Sequence, residues 1–151
     1  MSAAITKPIF VLNGPNLNLL GQRETGTYGS KTLSDVEAEC RTFADGQSVS
    51  IDFRQSNHEG VLVDWMQEAH SGSSGIIINA GAYTHTSIAL RDAISGIDPP
   101  VLELHVSNIH ARESFRHTSM IVSACIGQIC GLGTNGYPLA IQAMIDYLKT
   151  Q

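Results

Sequence analysis

The segment "GIIINAG" (residues 75–81) decides the fold of this 151-residue chain. Its three consecutive isoleucines place apolar side chains on both faces of an extended strand, because side chains alternate between the two faces. Strands with two buried faces are typical of parallel sheets, which helices cover on both sides. The apolar run ends at Asn79, whose amide needs a hydrogen-bonding partner or a ligand. The segment therefore predicts a central parallel strand that ends at a polar edge.

Further strands and helices alternate along the chain on both sides of this segment. The predicted strands cover residues 8–13, 48–56, 75–81, 100–108 and 123–133. The predicted helices, from apolar residues at helical spacing, cover residues 32–46, 58–72, 84–96 and 136–149. Thr32 is a suitable N-cap for the first helix, with Asp35 three residues later, and Gly72 is expected just past the end of the second. The alternation predicts an α/β fold, a flavodoxin-like doubly wound five-stranded parallel sheet with helices on both faces.

Length and charge limit the class of protein. A chain of this length predicts one domain over residues 1–151, with residues 1–7 as an N-terminal tail. The composition is 42% hydrophobic and 15% charged, with a formal net charge of −5. This balance argues against a nucleic-acid or anionic-membrane partner, which needs a basic face. No apolar run of about 18 residues occurs, and the first residues lack an apolar signal core, so we expect a cytoplasmic protein.

The three cysteines agree with a reducing compartment. Cys125 and Cys130 are predicted to lie on opposite faces of one strand, about 17 Å apart, which is too far for a disulfide. Cys40 falls in a predicted helix. All three are expected to be buried small apolar residues.

Polar and titratable side chains are concentrated where three predicted strands end. The carboxyl ends of parallel strands meet at one edge of a doubly wound sheet, which is where such folds bind ligands. The residues concerned are Asn13 and Asn16 after the first strand, Asn79, Tyr83 and His85 after the third, and His105, Ser107, Asn108, His110, Arg112, Arg116 and His117 at the fourth. We expect the ligand site there.

Several familiar kinds of site are absent from the sequence. It has no Walker-type phosphate loop, no GxGxxG after the first strand, no HExxH and no CxxC. A receiver domain needs acidic residues where Asn13 stands, and the Ser/Thr-rich loop of an FMN protein is missing. The histidines lack metal-ligand spacing, so we expect no metal. The three lysines lie away from strand ends, which argues against a Schiff base.

The loop after the first strand carries Arg23 and Tyr28, five residues apart. A tyrosine with an ordinary pKa near 10 is a poor base at neutral pH unless a cation stabilises its phenolate. Arg23 could be that cation. The alternative is an exposed arginine and a packed tyrosine in a flexible loop, and the residues alone leave both open.

Four motifs, in order, are similar to those of the type II 3-dehydroquinate dehydratases. They read "LNGPNLNLLGQRETGTYG" (12–29), "NAGAYTHTSIALRDA" (79–93), "ELHVSNIHARESFRHTS" (103–119) and "GLGTNGYPLA" (131–140), within a resemblance over about residues 9–148. The resemblance implies a single catalytic domain that reversibly eliminates water, in the anti sense, from 3-dehydroquinate to give 3-dehydroshikimate. It implies no metal and no organic cofactor.

The resemblance also assigns catalytic roles. The family's base falls on Tyr28 and its neighbouring arginine on Arg23, and the base takes a proton from C2 to give an enolate. Asn16 would help to hold a water at the enolate oxygen. His105 would be the general acid for the C1 hydroxyl, with Glu103 orienting its ring. An alternative for Glu103 is a charge on an edge strand.

Substrate-binding roles follow from the same motifs. The resemblance implies that Asn79, Ser107 and the backbone at Val106 receive the substrate carboxylate. It implies that His85 and Arg116 contact the ring hydroxyls. His85 could instead cap the helix that begins near it.

The resemblance places Arg112 near the site without defining its role. It implies a homo-oligomer, a dodecamer built as four trimers, in which Asp92 reaches the site of a neighbouring subunit. In a monomer Asp92 would be a solvated helix residue. Thr25 and Gly26 stand where the family has a stiffer stretch, so residues 20–29 are expected to form a mobile lid over the substrate.

Two other functions remain open. A non-catalytic flavodoxin-like binding module could use the same strand-end pocket and would tolerate loss of Tyr28 or Arg23. A different hydro-lyase or hydrolase could keep His105 and ignore 3-dehydroquinate. The joint presence of base, arginine, acid and carboxylate-binding segment argues against both. The sequence leaves open whether the reaction serves aromatic biosynthesis or quinate breakdown.

Overall fold

Five parallel strands form one sheet in the computed structural model, which describes residues 4–22, 26 and 29–151. The strands are β1 (Ile9–Asn13), β2 (Ile51–Gln55), β3 (Gly75–Asn79), β4 (Val101–His105) and β5 (Gly127–Cys130). The α-helices are α1 (Leu33–Gly46), α2 (Glu59–Gly72), α3 (Ile88–Ser95) and α4 (Gly136–Lys149), and short 3₁₀ turns occur in the connections. The strand order β2-β1-β3-β4-β5 is the flavodoxin-like order, which confirms the predicted fold class. No helix among the described residues is long and apolar enough to cross a bilayer.

Each face of the sheet packs against two helices. Alternate residues of the central strands point to opposite faces, so one run of isoleucines supplies both cores. The core under α1 and α4 includes Ile9, Val11, Ile77, Leu102 and Leu104 with Val36, Cys40, Ile141 and Met144. The core under α2 and α3 includes Phe10, Leu12, Ile76, Ile78 and Val101 with Leu62, Met66, Leu90 and Ile94. Every residue of β1, β3 and β4 is buried, which confirms for β3 the prediction from "GIIINAG".

The third predicted helix is wrong at its start. Residues Gly81–His85 form a 3₁₀ turn rather than the first turn of α3, and Gly81 begins that turn with a φ of +58°. Ser87 then adopts extended backbone and its hydroxyl accepts a hydrogen bond from the Leu90 N–H at 2.9 Å. Ser87 is therefore the N-cap of α3, and the alternative that His85 caps the helix is wrong.

The fifth predicted strand is too long. Only Gly127–Cys130 pair with β4, because Val122–Ala124 curl into a 3₁₀ turn. Cys125 follows that turn and precedes the strand, so the expectation that it shares one strand with Cys130 is wrong. All three cysteines are free, and two of them are only partly buried. Gly72 also differs slightly, since it is the last residue of α2 rather than the residue after it.

Candidate active site

A cavity of about 160 Å³ lies at the carboxyl edge of the sheet, where the strand order reverses between β1 and β3. Three connections line it: the loop after β1, the 3₁₀ turn after β3 and the segment after β4. A cavity of about 150 Å³ can hold a molecule of the size of benzene, so this one has room for a small molecule. Eight of the sequence-predicted site residues line it, namely Asn16, Asn79, His85, His105, Val106, Ser107, Arg112 and Arg116.

The loop after β1 is held against the loop after β3 by close backbone contact. The Gly14 N–H donates to the Asn79 carbonyl at 2.8 Å. A Cβ at Gly14 would lie 2.5 Å from the Ala80 carbonyl oxygen, so only glycine fits. Asn16 follows with a φ of +68°, a conformation that asparagine tolerates better than most residues. Its N–H donates to Asn57 Oδ1 at 3.0 Å, which fixes the loop where it reaches the cavity.

Asn79 is oriented by a buried tyrosine. Its Nδ2 donates to the Tyr137 hydroxyl at 3.1 Å, and that hydroxyl donates to Asn13 Oδ1 at 2.6 Å. Asn79 Oδ1 accepts from the Gly81 N–H at 3.3 Å. Burial raises the pKa of the Tyr137 phenol, so this hydroxyl stays neutral. Among the described residues, the other Nδ2 hydrogen of Asn79 has no acceptor, so it can serve a ligand in the cavity.

Glu103 and His105 lie on one face of β4, two residues apart, and form a buried pair. The distance from His105 Nε2 to Glu103 Oε2 is 2.5 Å, and the side chains are 5% and 0% exposed. Burial raises the pKa of the Glu103 carboxyl, but hydrogen bonds and the charge of His105 lower it more, so the net shift is downward. The alternative that Glu103 is an edge-strand charge is wrong, because β4 lies between β3 and β5.

His85 and Arg112 complete the walls. His85 Nδ1 lies 2.9 Å from the Thr118 carbonyl oxygen, and its ring stacks on that of His105 with centroids 6.3 Å apart. Arg112 Nη1 donates to Ser107 Oγ at 3.3 Å. These contacts fix the positions of two cavity-lining side chains.

The cavity has a positive side. Arg112 and Arg116 both line it, and Arg116 also bonds Glu113 at 2.7 Å. Two guanidinium groups in so small a space favour an anionic ligand. Within the described ranges, no three His, Cys, Asp or Glu side chains are placed to share a metal ion.

The structure does not bring every predicted site residue together. Arg23 and Tyr28 lie outside the described residues, as does half of the lid predicted over residues 20–29. Glu103 stands behind His105 rather than in the cavity wall. Asp92 is exposed on α3 and does not line the cavity of its own chain.

Three positioning side chains were missed by the sequence reasoning. Tyr137 orients Asn79, while Ser119 and Gln128 each donate to Glu103 at 2.7 Å. Gln128 could have been singled out from the sequence, because it is a lone polar residue within the apolar run "CIGQIC" (125–130) and a buried polar group needs a partner. Tyr137 and Ser119 stand inside quoted motifs, but nothing in the sequence says which groups they contact.

The fold and site define a flavodoxin-like α/β protein with a histidine–carboxylate pair and two cavity-lining arginines at its switch point. The family model described as "Dehydroquinase class II" matches residues 7–145. The chain belongs to the class II dehydroquinase family.

Relatives and solved structures agree with this family. The chain is 61% identical over 140 residues to the 3-dehydroquinate dehydratase of Rhizobium johnstonii, covering 93% of this chain and 97% of that protein. The type II dehydroquinase of Butyrivibrio crossotus superposes with a TM-score of 0.90 at 42% identity, covering 92% and 97% of the two chains. That of Propionibacterium acnes gives a TM-score of 0.89 at 37% identity, covering 99% and 100%.

Proposed function

We propose that the protein is a 3-dehydroquinate dehydratase of type II, a hydro-lyase that interconverts 3-dehydroquinate and 3-dehydroshikimate. Relatives above 60% identity that bear this name support the activity. The single observation that carries it on this chain is the buried Glu103–His105 pair beside a cavity lined by two arginines. An acid that is held against an anion-binding wall suits elimination from a carboxylated ring.

The substrate carboxylate binds at the start of the segment after β4. The Ser107 hydroxyl, the backbone at Val106 and the free Nδ2 hydrogen of Asn79 face the same cavity. Arg112 supports Ser107 through its 3.3 Å hydrogen bond. His85 and Arg116, which also line the cavity, contact the ring hydroxyls.

The reaction begins with loss of a proton from C2. Tyr28 takes this proton as a phenolate, which Arg23 stabilises as a neighbouring cation. The electrons of the C2–H bond pass to the ketone to give an enolate. A water held by Asn16 stabilises the enolate oxygen as an oxyanion hole would.

His105 completes the elimination as general acid. The enolate collapses, the C1=C2 double bond forms, and the C1 hydroxyl departs as water with a proton from His105. The Glu103 carboxylate, 2.5 Å from Nε2, holds the imidazole ring in place for this transfer. After turnover, solvent returns a proton to His105 and removes one from Tyr28.

We infer that the enzyme is a homo-oligomer, a dodecamer of four trimers, with Asp92 reaching the site of a neighbouring subunit. Asp92 and Ile88 lie one turn apart on α3, and both are exposed, Ile88 by 59%. Residues 117–145 contain no Asp, Glu, Lys or Arg and include the edge strand β5. An uncharged strand edge is a natural surface for a second copy of the chain.

The cytoplasm stays the expected compartment, in keeping with three free thiols.

The test is a comparison of wild type with Tyr28→Phe, following the ultraviolet absorbance of the conjugated product from 3-dehydroquinate. We expect activity in the wild type and a loss of about 10²–10⁴-fold in kcat in the variant, because the base is removed. Tyr147→Phe, at a partly exposed site on α4, is the matched control and should keep full activity. Activity that survives in Tyr28→Phe would contradict the mechanism, and an inactive wild type would favour the binding module.

A further inference from the structure

The Glu103 carboxylate accepts hydrogen bonds from three side chains, of which the proposed reaction uses one. His105 Nε2 lies 2.5 Å from Oε2, as described above. Ser119 Oγ donates to Oε1 at 2.7 Å, and Gln128 Nε2 donates to Oε2 at 2.7 Å. All three reach a carboxylate that is 0% exposed, so no water competes with them. The proposed reaction gives no role to the other two donors, Ser119 and Gln128.

The direction of the Ser119 hydroxyl is fixed by its other contacts. Ser119 Oγ accepts from the N–H groups of Ile121 at 3.2 Å and Val122 at 3.1 Å. Its single hydrogen is therefore the one donated to Glu103, because both of its other contacts are hydrogen bonds that the oxygen accepts. The 3₁₀ turn Val122–Ala124, which precedes β5, therefore also orients this hydroxyl.

Gln128 reaches the same carboxylate from the opposite side. It lies directly across from Glu103 in the β4–β5 register. The amide nitrogen of glutamine only donates, so it favours the ionised carboxylate. Because an ionised carboxylate only accepts, His105 must donate through Nε2, which leaves Nδ1 as the ring nitrogen available to a ligand.

We propose that Ser119 and Gln128 are positioning residues that keep Glu103 fixed and ionised. His105 then keeps one proton on Nε2, toward Glu103, and presents Nδ1 to the substrate as the nitrogen that takes up a second proton from solvent and delivers it to the leaving hydroxyl. The catalytic part of this inference rests on the proposed function, in which His105 is the acid. The placement of the proton does not, because it follows from the contacts of Glu103 alone.

The other titratable groups around the pair do not replace these donors. His85, from the turn after β3, stacks on the His105 ring at 6.3 Å without bonding Glu103. Burial, together with the Glu103 charge, raises the pKa of the Cys125 thiol to about 12, so that group stays neutral. Arg112 donates a hydrogen bond to Ser107, which lies two residues after His105.

The first test measures the tautomer of His105 without any substrate. Magic-angle-spinning NMR of the sedimented full chain, labelled with ¹³C and ¹⁵N in its six histidines, reports which ring nitrogen is protonated. A His105→Gln sample assigns the signal. We expect the Nε2–H form in the wild type and a mixture of Nε2–H and Nδ1–H forms in Gln128→Met. An unchanged signal in both Gln128→Met and Ser119→Ala would overturn the proposal.

The second test is kinetic and uses the same variants. We expect Gln128→Met to lower kcat about tenfold with KM unchanged, and to shift the pH profile of kcat, because one of three donors to a charged group is lost. Gln128→Glu should lower kcat further, because two carboxylates in contact share a proton. A loss confined to KM would overturn the proposal, since it would indicate a contact with bound substrate instead.

Two matched variants separate positioning from folding. Gln142→Met removes a similar hydrogen bond, from Gln142 to Asp146 at 2.9 Å on the surface of α4, and should leave kcat unchanged. Ser119→Thr keeps the hydroxyl and should restore most of the kcat that Ser119→Ala loses. If the wild type proves inactive on 3-dehydroquinate, the proposed function fails while the NMR result still decides the placement of the proton.

Discussion

Tyr137 carries a buried hydroxyl that two asparagines at the edge of the sheet share. In Tyr137→Phe, Asn13 loses a donor and Asn79 loses an acceptor, and both asparagines are buried. We expect the free energy of unfolding to fall by about 1–3 kcal/mol, the usual cost of a buried polar group left without a partner. Urea unfolding at a fixed protein concentration measures this. Tyr147→Phe, whose hydroxyl makes no hydrogen bond within the described residues, should change stability little, and equal losses in the two variants would contradict the prediction.

Gly14 is the point at which the loops after β1 and β3 come closest. A Cβ there would lie 2.5 Å from the Ala80 carbonyl oxygen, and backbone cannot give way as a flexible side chain can. We expect Gly14→Ala to lower the free energy of unfolding by about 1–3 kcal/mol. It should also weaken substrate binding, because Asn16 and Asn79 would separate.

Gly60 supplies the control for the Gly14 substitution. It lies in the first turn of α2, and an added Cβ meets nothing within 4 Å. Gly60→Ala should therefore stabilise the protein by about 0.4–1 kcal/mol, because alanine restricts the unfolded chain and suits a helix. Thermal unfolding of both variants gives the comparison, and the prediction fails if the two substitutions change stability in the same direction.

Which site residues the sequence could reveal depends on how far apart their partners lie. Asn79 and His105 could be found because each ends an apolar strand, and parallel strands end at a common edge. The role of Tyr137 could not, because its hydroxyl bonds Asn13, 124 positions earlier. Such a contact is set only when α4 packs on the sheet.

At the scale of elements, β2 and α2 are joined through Arg54. Its guanidinium bonds Asp52 at 2.9 Å and Glu68 at 2.7 Å, and it stacks over the rings of Phe10 and Trp65. We expect Arg54→Leu to lower the free energy of unfolding by about 1–2 kcal/mol at pH 7, since a half-buried charge pair and a cation–π contact are lost. Urea unfolding curves of both proteins give this difference.

The Arg54 contribution should depend on pH in one direction. The hydrogen bond from Arg54 is the largest cause that lowers the pKa of Asp52 below its ordinary value. A carboxyl whose folded pKa is depressed stabilises the fold above its unfolded pKa, and this stabilisation is lost as pH falls through the folded value. The difference between wild type and Arg54→Leu should thus be constant from pH 7 to about pH 5 and shrink below about pH 4. A difference that grows on acidification would contradict this account.

Helix and strand bounds were predictable where a local signal sets them. The Thr32–Asp35 capping box fixes the start of α1, and both halves of it are present. The start of α3 and the length of β5 were not predictable, because each depends on a turn held by distant groups. The Met120 N–H bonds the Thr84 carbonyl at 2.7 Å, and Ser119 holds the turn that precedes β5. The spacing of apolar residues along the sequence does not predict such contacts.

At the scale of the whole molecule, the order of the strands places the site. An alternation of strands and helices allows few sheet topologies. The crossover connections between parallel strands are almost always right-handed, and each crossover helix packs on a face of the sheet. The order β2-β1-β3-β4-β5 then brings the ends of β1 and β3 side by side, with Asn13 paired to Asn79 in the register. The position of the site could therefore be predicted from the alternation of strands and helices.

The edge at β5 gives a test of assembly and activity together. Ile126, beside this strand and 40% exposed, lies within the uncharged stretch of residues 117–145. Ile126→Glu would place a charge in the inferred interface, so we expect a smaller mass by light scattering and a parallel loss of kcat, because Asp92 of a neighbouring subunit would leave the site. Ser71→Glu, which adds the same charge to an exposed position on α2, should change neither quantity. Dissociation with full activity would show that each subunit carries a complete site, and unchanged mass in Ile126→Glu would place the interface elsewhere.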